Sequence, residues 1–335
     1  MPTVTTKPTR FYCTLFDQNY LIKGVAMTLS LLKHSPQSHL FVLCMDDVAY
    51  GVLQRLALER VTTIRLEDFE RATPQLLPLK QQRSVAEYCW TCTPCISNYV
   101  LETFSYVDQI VYLDADLLFF NDPERLHDEI ANDAVSIIEH RFSKGFEESV
   151  INGKYNVQWV GFKRNVDGLR VLSWWKEKCL EWCFNRSEDG KFGDQKYLDC
   201  WTTDFQKVHV IQDLGAGVGP WNFASYQIEA RQQQVMIDDA PLIFYHFHGY
   251  KMLDDGGFTA MPFVYMQNTA IPYLIYEPYR HALWAALRTI RKHLPSFSAG
   301  IQTAMTLQDK KNYLIELNPP KTFKSAIKER LKKIF

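Results

Sequence analysis

Residues 110–120, IVYLDADLLFF, set two carboxylates, Asp114 and Asp116, inside a run that is otherwise apolar. Desolvating an unpaired carboxylate costs roughly several kcal/mol, and two neighbouring carboxylates also repel each other. A bound cation or proton chemistry accounts for such an arrangement. Side chains alternate along a strand, so a strand through this run puts Asp114 and Asp116 on one face and Ala115 on the other. Carboxylate oxygens suit a hard divalent cation. Downstream, YHFHGYK carries two histidines, His246 and His248, which strand spacing also places on one face.

The surrounding elements must deliver these groups to one place. FYCTLF and HLFVLC read as buried strands, and VTTIRLEDF as a shorter one. Between the first two, YLIKGVAMTLSLLKHSP repeats Leu21, Val25, Leu29 and Leu32 at helical spacing and stops before Pro36. A helix over VAYGVLQRLAL completes a β-α-β-α-β pattern, which predicts a parallel sheet with helices on its faces. CISNYVLETFS then predicts a helix and QIVYLDADLLFF one strand. Asp17, Asp46, Asp47, Asp114 and Asp116 all fall at carboxyl ends of strands, where open sheets bind ligands. After residue 120 the strands AVSIIEH, YNVQWVGFKR, VHVIQDL and PLIFYHFHG predict a mixed sheet. The divisions expected are 1–120, 121–264 and a helical, basic extension over 265–335.

Composition narrows the classes. The 335 residues are 47% hydrophobic and 22% charged, ordinary for a globular protein, and the net charge of −1 argues against nucleic-acid binding. The amino end carries no apolar secretory core, and no run of about eighteen apolar residues exists to span a bilayer. With eight cysteines, this predicts reduced thiols in a cytoplasm.

YLDADLLF, YNVQWVGF, GDQKYLD and YHFHGYK, in that order, resemble the motifs of family-8-type retaining glycosyltransferases and a bacterial branch close to them. The resemblance spans roughly residues 10–251. It implies a GT-A fold, a Rossmann-like mixed central sheet flanked by helices, and transfer of a sugar from a UDP-sugar to a saccharide, glycolipid or glycan acceptor. It implies that Asp114 and Asp116 serve the metal with an imidazole, His246 by the family's pattern although His248 shares its face, and that the whole Asp114–Ala115–Asp116 motif meets the donor. A nitrogen beside two carboxylates favours Mn²⁺, with Mg²⁺ as its substitute. Thr14, Asp17, Tyr20, Asp46 and Asp47 would hold the nucleotide, Arg83 a phosphate or the sugar, and Asn156 and Gln158 the transferred sugar. His248 and Lys251 would lie at the donor, Lys251 at its phosphate. Where the family continues after that lysine with Pro-Trp, this chain has Met252 and Leu253. Asp194 and Gln195 would stand near the anomeric carbon, Asp194 as the candidate catalytic carboxylate.

Other readings attach to some of these residues. Asp114 in Asp-x-Asp is also the nucleophile position of haloacid-dehalogenase-like phosphatases, but those carry Thr or Val where Leu118 stands. A non-catalytic nucleotide-sugar-binding homologue would keep the same site. Cys89, Cys92 and Cys95 have metal-ligand spacing without a partner pair, and read as thiols before an apolar helix. GAGVGP, 215–220, precedes Pro-Trp-Asn rather than a helix and reads as a loop. Trp159, Trp201 and Trp221 default to the core, and His140 and Arg141 could line an acceptor groove. The tail 319–335 holds six basic residues and one acidic residue, with Phe323, Ile327, Leu331 and Ile334 at helical spacing. Residues 321–335 thus predict either a helix on an anionic membrane surface or one packed on the catalytic domain, as does the helix around Leu283 and Trp284. The former gives a peripheral location on the inner face of the plasma membrane.

Overall fold

Apolar strands and amphipathic helices alternate through the first third of the chain as expected. In the computed structural model, which describes residues 9–130, 132–265 and 270–304, β1 (Phe11–Phe16), α1 (Leu21–His34), β2 (His39–Cys44), α2 (Asp47–Leu56) and β3 (Val61–Arg65) follow in turn. The three strands are parallel, with β2 between the others. The strand expected over 61–69 stops at Arg65 and gives way to α3 (Leu66–Ala72), whose first turn carries Glu67 and Asp68. Acidic side chains there favour the positive amino end of a helix.

After α4 (Leu76–Leu79), α5 (Val85–Thr103) starts well before Cys95, at a capping box formed by Ser84 and Glu87, and runs through Pro94. The cap satisfies orphan amides of the first turn, so the three cysteines lie within a helix. All eight cysteines are free thiols. Next come β4 (Gln109–Leu113), β5 (Leu117–Phe119), α6 (Glu124–Glu129), β6 (Val135–Glu139), β7 (Tyr155–Lys163), α7 (Val166–Glu181), α8 (Trp201–Asp204) and β8 (Val208–Val210). The main sheet runs β3-β2-β1-β4-β7-β6-β8. It is mixed, because β7 is antiparallel to both β4 and β6.

A meander of β9 (Ile228–Arg231), β10 (Gln234–Ile237) and β11 (Ala240–Pro241) follows the loop at 215–220. Then β12 (Phe244–His246) pairs antiparallel with β5, matching Phe119 to Phe244 and Leu117 to His246. Finally β13 (Lys251–Leu253) lies between β14 (Phe258–Thr259) and β15 (Ile301–Gln302), and α9 (Tyr273–Arg291) intervenes before β15.

Each face of the main sheet has its own core. One joins Leu21 and Val25 of α1 to Tyr245, Phe247, Tyr279, Leu283 and Ile290. The other joins Ile96 and Val100 of α5 to Trp175 of α7 and Trp201. Helix α9, readable from sequence as membrane-facing or packed, is packed: Ile275, Tyr279, Leu283, Leu287 and Ile290 are buried. Residues 321–335 lie outside the described residues. Among those described, no helix is long and apolar enough to cross a membrane. Trp159, Trp201 and Trp221 are core residues.

Candidate active site

The Asp-x-Asp segment is not one continuous strand. β4 ends at Leu113 and β5 begins at Leu117, so Asp114, Ala115 and Asp116 form the turn between them. The expectation that a pleat puts both carboxylates on one face is therefore corrected. They converge because the chain leaves the main sheet, where Leu113 pairs with Trp159, and re-pairs with β12. A straight strand would carry Asp116 between buried layers, whereas the turn brings it to an imidazole.

That imidazole is His246, the last residue of β12. Its Nε2 lies 3.0 Å from Asp116 Oδ1 and 3.8 Å from Asp114 Oδ2. One ligand atom from each residue falls within 4.8 Å of the others, which among the described residues makes this the one cluster of three carboxylate, imidazole or thiol groups close enough to hold an ion. His248 lies beyond the end of β12, exposed, its ring centre 5.8 Å from that of His246. The alternation that offered both histidines as ligands ends with the strand at His246.

The two carboxylates respond oppositely to this environment. Burial pushes Asp114 up to about 6, against the pull of His246 and with the repulsion of Asp116. Burial also acts to raise Asp116, but the charge and hydrogen bond of His246, with Lys23 behind it, hold Asp116 below the usual carboxylate range. For His246 burial acts downward, and Asp116 and Asp114 together raise it. Lys23, on the first turn of α1, places Nζ 3.7 Å from Asp116 Oδ2. No motif in the sequence pointed to Lys23, because YLIKGVAM gives it the place of an ordinary helix residue. Only the 3.6-residue phase relative to Tyr20 would have aimed it at the strand ends.

On the α5 side of the sheet stands a second polar group. Asp194 is buried; burial and then the charge of Asp114 push it up to about 8. Its backbone carbonyl accepts from Trp175 Nε1 at 2.8 Å. Gln195 is half-buried and donates through Nε2 to the Asn152 carbonyl at 3.1 Å. Opposite the Asp-x-Asp turn, the Asp114 amide donates to the Gln158 carbonyl at 3.4 Å. The pairing of β6 with β7 slips here, from Ile137–Val160 to Ile138–Asn156. Such a bulge re-aims side chains. Gln158 is wholly buried with neither amide atom partnered, and Asn156 Nδ2 contacts His140 Nε2 at 2.8 Å. His140 is thus a buried support for Asn156, while Arg141 donates to the Ala216 carbonyl.

The residues expected to hold the donor divide. Thr14 is buried within β1 with an unpartnered hydroxyl. Asp17 accepts from the Asn19 and Tyr20 amides at 2.9 and 3.1 Å, shaping the entry to α1. Tyr20 is 43% exposed, and Asp116, burial and Asp114 all raise its phenol, so it stands beside the carboxylates. Asp46 caps α2 through the Ala49 amide at 2.7 Å and accepts from the Gln18 amide at 2.8 Å. Asp47 pairs with Arg65 at the surface. Arg83 is buried against the end of α7, donating to the Cys179 and Leu180 carbonyls at 2.8 Å each. Lys251 is exposed on β13, near enough for its charge to act on Lys23.

The cluster fits a divalent cation. It offers two carboxylates and a neutral-capable imidazole, and its Asp114 carboxyl is a proton acceptor under strain of burial that a cation would relieve. Residues 13–211 match Glycosyl transferase family 8. Two proteins of Bacillus subtilis (strain 168), the uncharacterized proteins YfnD and YfnF, are 31% identical over 292 residues and 33% over 289. Those alignments cover 86% and 80% of this chain and 93% of each relative. Among solved structures, the galactosyltransferase LgtC in complex with donor and acceptor sugar analogs is 15% identical with a TM-score of 0.45, covering 70% of this chain and 86% of that one. The apo form of the glycosyltransferase GlyE of Streptococcus pneumoniae TIGR4 is 12% identical with a TM-score of 0.48, covering 86% of this chain and 64% of that one.

Proposed function

This chain belongs to glycosyl transferase family 8, and from that premise we propose that it moves a sugar from a UDP-sugar to a saccharide acceptor, with a divalent cation and with retention of anomeric configuration. The observation that carries this reading is the convergence of Asp114, Asp116 and His246 at the carboxyl end of β4. That the chain is a glycosyltransferase sets aside the phosphatase and the non-catalytic readings of the Asp-x-Asp motif.

The roles follow from the chemistry of each group. Asp114, Asp116 and His246 would hold Mn²⁺, or Mg²⁺ in its place. Such an ion supplies Lewis-acid stabilisation of a leaving diphosphate. For His246 to act as a ligand its Nε2 must give up the proton that it shares with Asp116 in the metal-free state. Thr14 within β1, and Asp17 and Tyr20 beyond its end, would face the nucleotide. Gln158, with both amide atoms unpartnered, and Asn156, fixed by His140, are suited to sugar hydroxyls. Asp194 and Gln195 approach the same place from the α5 side. Burial and then the charge of Asp114 favour the protonated carboxyl of Asp194, and compensating Asp114 would remove the second of these causes. The acceptor in this reading is a saccharide, glycolipid or glycan, and the location is cytoplasmic; residues 321–335, which lie outside the described residues, keep both readings, a contact with an anionic membrane surface or a helix packed on the catalytic domain.

A panel of UDP-hexoses with Mn²⁺ tests the reading by UDP release and by NMR of the released sugar. Slow metal-dependent release with the donor's anomeric configuration preserved is expected. Asp194→Asn should lower release about 100-fold or more while leaving UDP affinity unchanged. No release from any UDP-hexose, or release of the inverted anomer, contradicts it.

A further inference from the structure

Beside the cation cluster stands a cationic group that the metal reading leaves unused. The Lys23 side chain is only 12% exposed. Its ammonium sits 3.7 Å from Asp116 Oδ2 and 4.3 Å from the centre of the Tyr20 ring. A buried ammonium needs a counter-charge, and in the metal-free protein Asp116 is that partner. A cation bound by Asp116 draws on the same carboxylate. Lys23 then requires a second anion, and the proposed reaction brings one to that place, the donor's diphosphate.

Two further features point the same way. Helix α1 opens without a side-chain cap at Tyr20 and without an acidic residue in its first turn. Asp17, which accepts from the Asn19 and Tyr20 amides just ahead of the helix, meets part of the positive field at that end, and what remains adds to the Lys23 charge. Lys251, which the family pattern assigns to phosphate, is exposed on a strand that continues as Met252 and Leu253. Charge balance also calls for another cation. Asp114 and Asp116 cancel a divalent ion, so without Lys23 the buried part of the site would meet an anionic donor with no net positive charge.

We propose that Lys23 binds the diphosphate of the nucleotide donor, exchanging Asp116 for a phosphate oxygen when cation and donor enter. This rests on the transferase reading and adds a residue to it. A hydrogen bond from an ammonium to phosphate is charge-assisted, and its loss is felt by ligands in proportion to their phosphates.

The test is titration calorimetry of UDP, UMP and uridine in Mn²⁺ against the wild type, Lys23→Met, Lys23→Gln and Lys23→Arg, each checked for folding by thermal melting. Lys23→Met should weaken UDP about tenfold or more, weaken UMP less and leave uridine within about twofold. Lys23→Arg should recover most of the loss. If Lys23→Met does not fold, Lys23→Gln, which keeps a polar side chain of similar length, gives the same comparison. Lys23 variants that fold and bind UDP, UMP and uridine in the wild-type ratios overturn the assignment and leave the transferase reading standing. A wild type that binds uridine and UDP equally, or neither, overturns both.

Discussion

Asp114 and Asp116 belong to one turn, yet one is held up and the other down. The difference lies in His246, 3.0 Å from Asp116 and 3.8 Å from Asp114, and in Lys23, which reaches only Asp116. A carboxyl raised to about 6 favours the folded state below its unfolded value and loses that contribution as the pH rises through 6. A carboxyl held low does the reverse: its contribution is present above the unfolded value and is lost as the pH falls through the folded one. In metal-free protein at pH 7, Asp114→Asn should therefore stabilise, on the order of 2 kcal/mol, and Asp116→Asn should destabilise. Thermal melts at pH 4 and pH 7 check this, and shifts of the same sign at pH 7 would contradict it. The same residues couple metal to protons. Mn²⁺ affinity should drop as the pH falls through about 6, because Asp114 then takes a proton. At this scale the Asp-x-Asp motif was legible because residue type alone announces a carboxylate in an apolar run, and His246 through the family resemblance of YHFHGYK. Lys23 was not, because a lysine in a helix is ordinary until its neighbours across the fold are known.

Among the elements, the register of β5 against β12 does most to build the site. It sets His246 opposite Leu117, one residue past Asp116. The chain then reverses at Gly249, where φ is +72° and a Cβ would collide with Pro262. Left-handed backbone and a blocked Cβ together make Gly249→Ala destabilising by about 1–3 kcal/mol. Through the displacement of His246 it should also weaken Mn²⁺ binding, measurable by competition with a metal indicator. A variant with unchanged stability and metal affinity would contradict this account of the turn. Strand and helix types in the first third were readable from apolar periodicity. The end of β4 at Leu113 was not, because IVYL and LLFF are both apolar runs on either side of the turn. Nor was the start of α5, whose signal is the Ser84–Glu87 box rather than an apolar repeat. The slip between β6 and β7 that frees Gln158 leaves no local mark in the sequence.

Across the whole molecule, one mixed sheet carries a core on each face and gathers the polar groups at one edge of its strands. Helix α9, from late in the chain, closes the α1 face: its Tyr279 ring stacks on Phe247 at 3.6 Å, between the site histidines. The layered α/β architecture was foreseen from β-α-β alternation, whereas the packing of α9 was not, since an amphipathic helix fits a membrane surface and a protein core equally well. On the proposed function a cation and a nucleotide diphosphate would depend on each other, because the carboxylates of Asp114 and Asp116 would repel the diphosphate until an ion compensated them. Calorimetric titration of UDP with and without Mn²⁺, against the wild type and Asp116→Asn, measures that dependence directly. Binding that needs Mn²⁺ and falls at least about tenfold in Asp116→Asn is the predicted result. UDP binding that ignores both the ion and the substitution, or no binding under any condition, would contradict the central claim.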